Sequence, residues 1–152
     1  MQQHTHYYGL TIALGLLATV HERRGEWQAV LKLGEAMIEV SQAHSFHLNR
    51  TFGELHKGAS LAMLGQPEAG MKWIRRAIAE RDALNHQMAN ADYLAYTGLG
   101  YGLTGQVARG LALVNEAIHS LENSNDRQAE ALIRQIKGEL LLMRDLSGPR
   151  QL

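Results

Sequence analysis

Few residues in this chain could do chemistry, and their spacing limits what chemistry that would be. There are eight histidines and no cysteine. The most suggestive group is His44-x-x-His47, followed by Glu54 and His56, because imidazole and carboxylate are both zinc ligands. A zinc site needs three or four ligands converging on one ion. His47 and His56 stand nine residues apart, about two and a half helical turns, so they share no helical face cleanly. His44 falls near a helix boundary. A histidine metal site is therefore only an alternative, and no metal or cofactor is expected. Glu22, Glu35, Glu39 and Asp92 are candidate partners for a histidine in proton transfer, which requires acid and base within hydrogen-bond reach. Scattered carboxylates on helices are ordinarily solvated instead. Neither a serine in a nucleophile elbow nor a phosphate-cradling Gly-x-x-x-x-Gly-Lys-Ser/Thr loop occurs. Gly100-Tyr101-Gly102-Leu103-Thr104-Gly105 satisfies Gly-x-Gly-x-x-Gly. That fingerprint binds dinucleotides only where a strand precedes it and a helix opens on it. Here it ends a helical pattern, so the chain is expected not to be an enzyme.

Composition narrows the partners. The chain is 45% hydrophobic and 20% charged, with fifteen basic side chains balancing fifteen acidic ones. Nucleic-acid binding draws much of its affinity from basic stripes that release counterions, and no such stripe or polybasic arm is present. The absence of cysteine removes disulfides and thiolate metal sites and fits a reducing, cytoplasmic compartment. The apolar stretch 7–20 is shorter than the roughly 20 residues that a spanning helix needs, so neither a membrane nor a nucleic acid is expected as a partner. His4 and His6 read as a disordered N-terminal tail, and His21 as a packed core residue.

Apolar residues at three and four spacing predict seven helices, over 7–23, 27–43, 46–64, 67–84, 88–104, 107–122 and 126–145. No alternating strand pattern or hairpin turn signal interrupts them. The elements repeat. Gly25, Gly65 and Gly105 fall forty residues apart, as do Ala18, Gly58, Gly98 and Gly138, and Ile38, Ile78 and Ile118. Such a period marks an array whose units stack to bury a common core. The expected fold is all-α, a single domain over 1–152. Its hairpins span 7–43, 46–84 and 88–122, and a capping helix covers 126–145. Interior glycine costs roughly 1 kcal/mol relative to alanine, so Gly58, Gly70, Gly98, Gly110 and Gly138 are expected to permit close helix approach.

Within each unit the small positions, Gly58, Gly70 and Ala77 in the second and Gly98, Gly110 and Ala117 in the third, resemble the tetratricopeptide repeat. Ala18, Val30 and Met37 form a degenerate first copy. The units are longer than the usual repeat and lack its closing proline. Together with Gly138-Glu139-Leu140-Leu141-Leu142, this resembles the C-terminal repeat regions of bacterial cyclase- or ATPase-linked signalling proteins and of the LuxR-type maltose regulator. The resemblance implies a right-handed superhelix of antiparallel hairpins, with no catalysis of its own, that binds a protein or peptide as part of a larger bacterial regulatory protein.

Transferring the family's concave-groove positions marks Ile12, Thr19, Glu22, Arg23, Phe52, Leu55, Met63, Asp92, Leu99, Leu103, Gln135 and Leu142 as partner-binding residues. That wall is mostly apolar and suits helix-in-groove recognition or a small ligand. The bland alternative is that these side chains simply pack on one another. The last helix, apolar at Leu132, Ile136, Leu140 and Met143 and lacking a second half, suggests a homo-oligomer instead.

Overall fold

The computed structural model describes residues 2–86 and 90–148. Among them it is all-helical, with seven helices and no strand: α1 (Gln2–Arg23), α2 (Trp27–Ala43), α3 (His47–Met63), α4 (Pro67–Ala83), α5 (Asn90–Leu103), α6 (Val107–Ser120) and α7 (Arg127–Ser147). Sequence-neighbouring helices pack on one another in α1–α2–α3–α4 and again in α5–α6–α7. By compactness the chain groups into two units, Met1–Gln87 and Met88–Leu152.

The predicted helix boundaries hold within a few residues, except at the N-terminus. α1 begins at Gln2 rather than at 7. The reason is aromatic packing: the His4 ring meets Phe46 edge-on at 4.7 Å, Tyr8 meets Phe46 at 5.4 Å, and Tyr7 stacks on His44 at 3.9 Å. His4 and His6 therefore sit in a helix and not in a tail. The segments 88–89 and 149–152, where the fifth helix and the polar tail were placed, lie outside the described residues.

Five helix ends share one construction. Gly25, Ser45, Gly65, Asn85 and Gly105 all have positive φ, at 71°, 59°, 90°, 52° and 92°. In each, the amide just after that residue donates to a carbonyl five positions back: Glu26 to His21 at 3.0 Å, Phe46 to Ser41 at 2.9 Å, Gln66 to Leu61 at 2.8 Å, His86 to Arg81 at 3.3 Å and Gln106 to Tyr101 at 2.8 Å. This is the Schellman closure, which satisfies a helix's last carbonyls through one left-handed residue. Left-handed residues thus recur every twenty positions, twice as often as the glycines that mark the repeat. The last interhelix connection differs: α7 opens on Asp126, whose Oδ1 accepts the Ala129 amide at 3.0 Å.

Between the helices of a hairpin the glycines act as packing devices. A Cβ built on Gly58 would lie 2.8 Å from the Gly70 carbonyl oxygen and 2.7 Å from Ile74 Cγ1. One on Gly98 would lie 2.7 Å from the Gly110 oxygen and 2.8 Å from Val114 Cγ2. These approaches explain glycine inside helices. A third pair joins α2 to α3, where a Cβ on Gly34 would stand 3.0 Å from the Gly53 oxygen. It does not recur at forty residues and escaped the periodic reading. Gly138 departs from expectation, because a Cβ there meets nothing within 4 Å. No second helix follows α7 among the described residues to approach it.

Leu substituted at Gly98 is expected to cost about 3 kcal/mol or more by overpacking, whereas Gly138→Ala, at the same repeat position, should gain about 0.5–1 kcal/mol from helix propensity. Urea unfolding of the two variants checks the contrast; equal effects would contradict it. Ser45→Gly should likewise stabilise, by about 0.5–1 kcal/mol, by relieving a left-handed serine, read as a higher urea midpoint.

Candidate functional site

Polar groups concentrate inside the first unit. α3 carries Asn49, Thr51, Glu54, His56 and Ser60, all buried. Two ties join it to α1. The Asn49 amide Nδ2 donates to Thr11 Oγ1 at 2.5 Å, and the His56 ring N–H at Nδ1 donates to Glu22 Oε1 at 2.7 Å. Thr11 in turn donates to the Tyr8 carbonyl at 2.8 Å, and Ser60 to the His56 carbonyl at 2.7 Å. A buried carboxylate needs such a partner, since an unpaired charge in a low-dielectric interior is costly.

A second group lies where α3 meets α4. Arg76 Nε stands 3.0 Å from Glu54 Oε1, Arg50 Nε is 3.9 Å from the same oxygen, and Arg50 also pairs with Glu80. Glu54 is fully buried. Burial pushes its carboxyl above the ordinary value of 4.5; Arg76 opposes the push, Glu80 adds to it, and Arg50 opposes it again. Nearby, Lys57 pairs with Glu35 at 3.0 Å and lies 4.5 Å from the centre of the Trp73 ring.

These clusters do not assemble the chemistry weighed from the sequence. His44 stacks in the aromatic group with Tyr7, His47 is exposed, Glu54 lies among arginines and His56 is held by Glu22. Among the described residues no three histidine, aspartate or glutamate side chains are placed to hold an ion. His56 is thus a buried partner of Glu22. His21 is half-buried and pairs with Glu26, so it is not the core residue expected. The Gly-x-Gly-x-x-Gly motif ends α5 and runs into the Gly105 turn. Gly102 makes room for Leu140 of α7, since a Cβ there would overlap its Cδ2.

The predicted groove residues scatter between core and surface. In the first unit, Leu55 and Glu22 are buried. Leu55 packs into the core and Glu22 is committed to His56, so neither offers a wall to a partner. Thr19, Phe52 and Met63 are half-buried, and Ile12 and Arg23 are exposed. In the second unit, Leu99 is buried, Asp92 and Leu103 are half-buried, and Gln135 and Leu142 are exposed. The stripe on α7 assigned to self-association is mostly consumed internally: Leu132, Ile136 and Leu140 are buried and Met143 is half-buried. The large apolar residues exposed on α7 are Leu142 and Leu146 instead.

The surface that stands out is α1. Tyr7, Tyr8, Leu10, Ile12, Leu16, Leu17 and Val20 are all exposed on this one helix, Leu16 to 62%. The apolar run was visible in the sequence but was absorbed into the repeat phase, which assumes that every first helix is covered as its copies are. No described helix is long and apolar enough to cross a membrane. Comparison with known protein families, curated proteins and solved structures finds no match.

The raised Glu54 value gives a pH test. Ionising Glu54 costs more in the folded chain than in the unfolded one, so its contribution is fully present below 4.5 and is lost as pH rises through the raised folded value. The stability of wild type relative to Glu54→Gln is expected to fall across that window, measured by urea unfolding at a series of pH values. A difference that grows with pH would contradict the assignment.

Proposed function

We propose that the chain is a non-catalytic, tetratricopeptide-like scaffold that binds a protein or peptide, serving as the interaction region of a larger regulatory protein. The observation that carries this reading is the exposed apolar face of α1. Large apolar side chains exposed together along one helix are the kind of surface that interaction sites use. The buried polar groups support the same reading from the other side. Glu22 is hydrogen-bonded to His56, and Glu54 is buried beside Arg76; both carboxylates lie inside the fold, which suits positioning helices better than meeting a substrate. The right-handed superhelical stacking implied by the repeat belongs to this proposal. So does the reading that nucleic acid is not the partner, which rests on the balanced charge of the sequence. The site moves from the concave groove to α1, with Ile12 common to both.

Selection from a displayed library of helical peptides against the immobilised protein tests the reading. Amphipathic sequences should be enriched, and their binding should fall about tenfold or more on Leu16→Glu, the effect of losing a central apolar anchor. Leu16 is exposed, so that variant should keep its stability within about 0.5 kcal/mol. A selection that enriches nothing over the Leu16→Glu protein would overturn the proposal.

A further inference from the structure

The α3–α4 hairpin encloses a carboxylate that its neighbours hold by charge alone. Glu54 is fully buried, yet among the described residues neither of its oxygens completes a hydrogen bond. Arg76 Nε, reaching over from α4, is 3.0 Å from Oε1, and the Arg76 side chain is 53% exposed. Arg50, one turn before Glu54 on α3, stands 3.9 Å from the same oxygen but is hydrogen-bonded to Glu80 of α4. Two carboxylates thus share one arginine, and the cation nearest to Glu54 is a side chain that reaches solvent. Further along this face Lys57 of α3 pairs with Glu35 of α2 at 3.0 Å. His56, two residues along α3 and so about 200° around the helix, is turned to Glu22 of α1 instead. The Trp73 ring lies beside the cluster, with the Arg76 guanidinium carbon 5.4 Å and Lys57 Nζ 4.5 Å from its centre.

We infer that Glu54 and Arg76 form a proton-sensitive clasp between α3 and α4, closed when the carboxyl is ionised and releasing Arg76 to solvent when it takes up a proton. The inference is independent of the protein-binding reading above. Protonation places one hydrogen on a Glu54 oxygen and cancels the charge that draws Arg76 inward; no other covalent bond changes. Arg50 retains Glu80 as its partner. A half-exposed arginine gains more from water than from a neutral, buried acid. Burial raises the Glu54 carboxyl above 4.5 and the Arg76 charge opposes that rise. The clasp therefore opens on the acid side of a midpoint that lies above 4.5. The Gly58–Gly70 crossing one turn further on, where a Cβ on Gly58 would lie 2.8 Å from the Gly70 oxygen, keeps the hairpin together in both states. What changes is the surface of α4, where the released Arg76 joins exposed Lys72 and Arg75.

NMR of the full chain from about pH 4 to pH 8, the range that brackets a raised carboxyl, tests the clasp by following the Glu54 carboxyl carbon and the Trp73 indole N–H together. Both should titrate with one midpoint above 4.5, because opening the clasp moves the Arg76 cation away from the Trp73 ring. In Glu54→Gln, which keeps the shape of the neutral acid, the Trp73 transition at that midpoint should vanish. A transition that persists there would belong to Lys57 and Glu35 and would overturn the inference. Arg76→Gln alters an exposed side chain and should raise the Glu54 midpoint. Glu80→Gln should lower it, since it removes a like charge and frees Arg50 for Glu54. These two comparisons stand even where Glu54→Gln does not fold, which circular dichroism reports. Midpoints that move in the same direction in both variants would overturn the clasp. So would a Trp73 resonance that stays flat while Glu54 titrates, because the carboxyl would then change charge without moving Arg76.

Discussion

Backbone-to-backbone approach at paired glycines is the constraint on which the rest of the structure depends. In α3–α4 the pair is Gly58 and Gly70, and in α5–α6 it is Gly98 and Gly110. Helices ordinarily pack at about 8–10 Å, held apart by their side chains. Removing Cβ at the crossing lets the two backbones touch and fixes the axial register of the hairpin at one point. Ile74 and Val114 then close over the gap from the second helix of each pair. A crossing fixed in this way decides which residues face inward, and so which faces are left for neighbours. Gly138 shows the converse: the same residue at the same repeat position, with no helix on it, has only the conformational cost of glycine.

The buried polar ties complement that steric device. Apolar packing is non-directional and tolerates sliding, whereas Asn49 on Thr11 and His56 on Glu22 each accept a single alignment. Two such bonds along the α1–α3 contact set both the height and the rotation of α1. Specificity of this kind is attested for buried polar groups elsewhere. Here it has a particular use. α1 is covered on fewer sides than α3, and directional bonds hold it where packing alone is thin.

Much of this was legible in the sequence, for reasons that differ by element. The helices and the turns at Gly25, Gly65 and Gly105 follow from apolar spacing and from the residue that tolerates positive φ most readily. Ser45 and Asn85 make the same turn but carry side chains that do not announce it, so the twenty-residue recurrence stayed hidden. The glycine crossings were visible because they repeat; Gly34 on Gly53 was not, because it does not. The groove was the weakest expectation. Its positions were transferred from a shorter repeat, and the structure buries Leu55 and Leu99 while leaving Ile12 outside. Periodicity reports which residues are equivalent. It does not report whether the neighbour that covers one copy exists for the next, and that difference is what separates α1 from α3.

The evenly spaced left-handed turns constrain how such a chain can change in length. Each such helix end places one residue at positive φ, and the five stand at 25, 45, 65, 85 and 105. One residue inserted into α2 would rotate everything after it by about 100° around the helix axis, turning Gly34 away from Gly53. If the turn instead kept its place, a residue other than Ser45 would fall in the left-handed position. Insertions of one or two residues are thus penalised either way, in packing or in the turn. The connection between α6 and α7, where no described residue has positive φ, carries no such constraint from the turn.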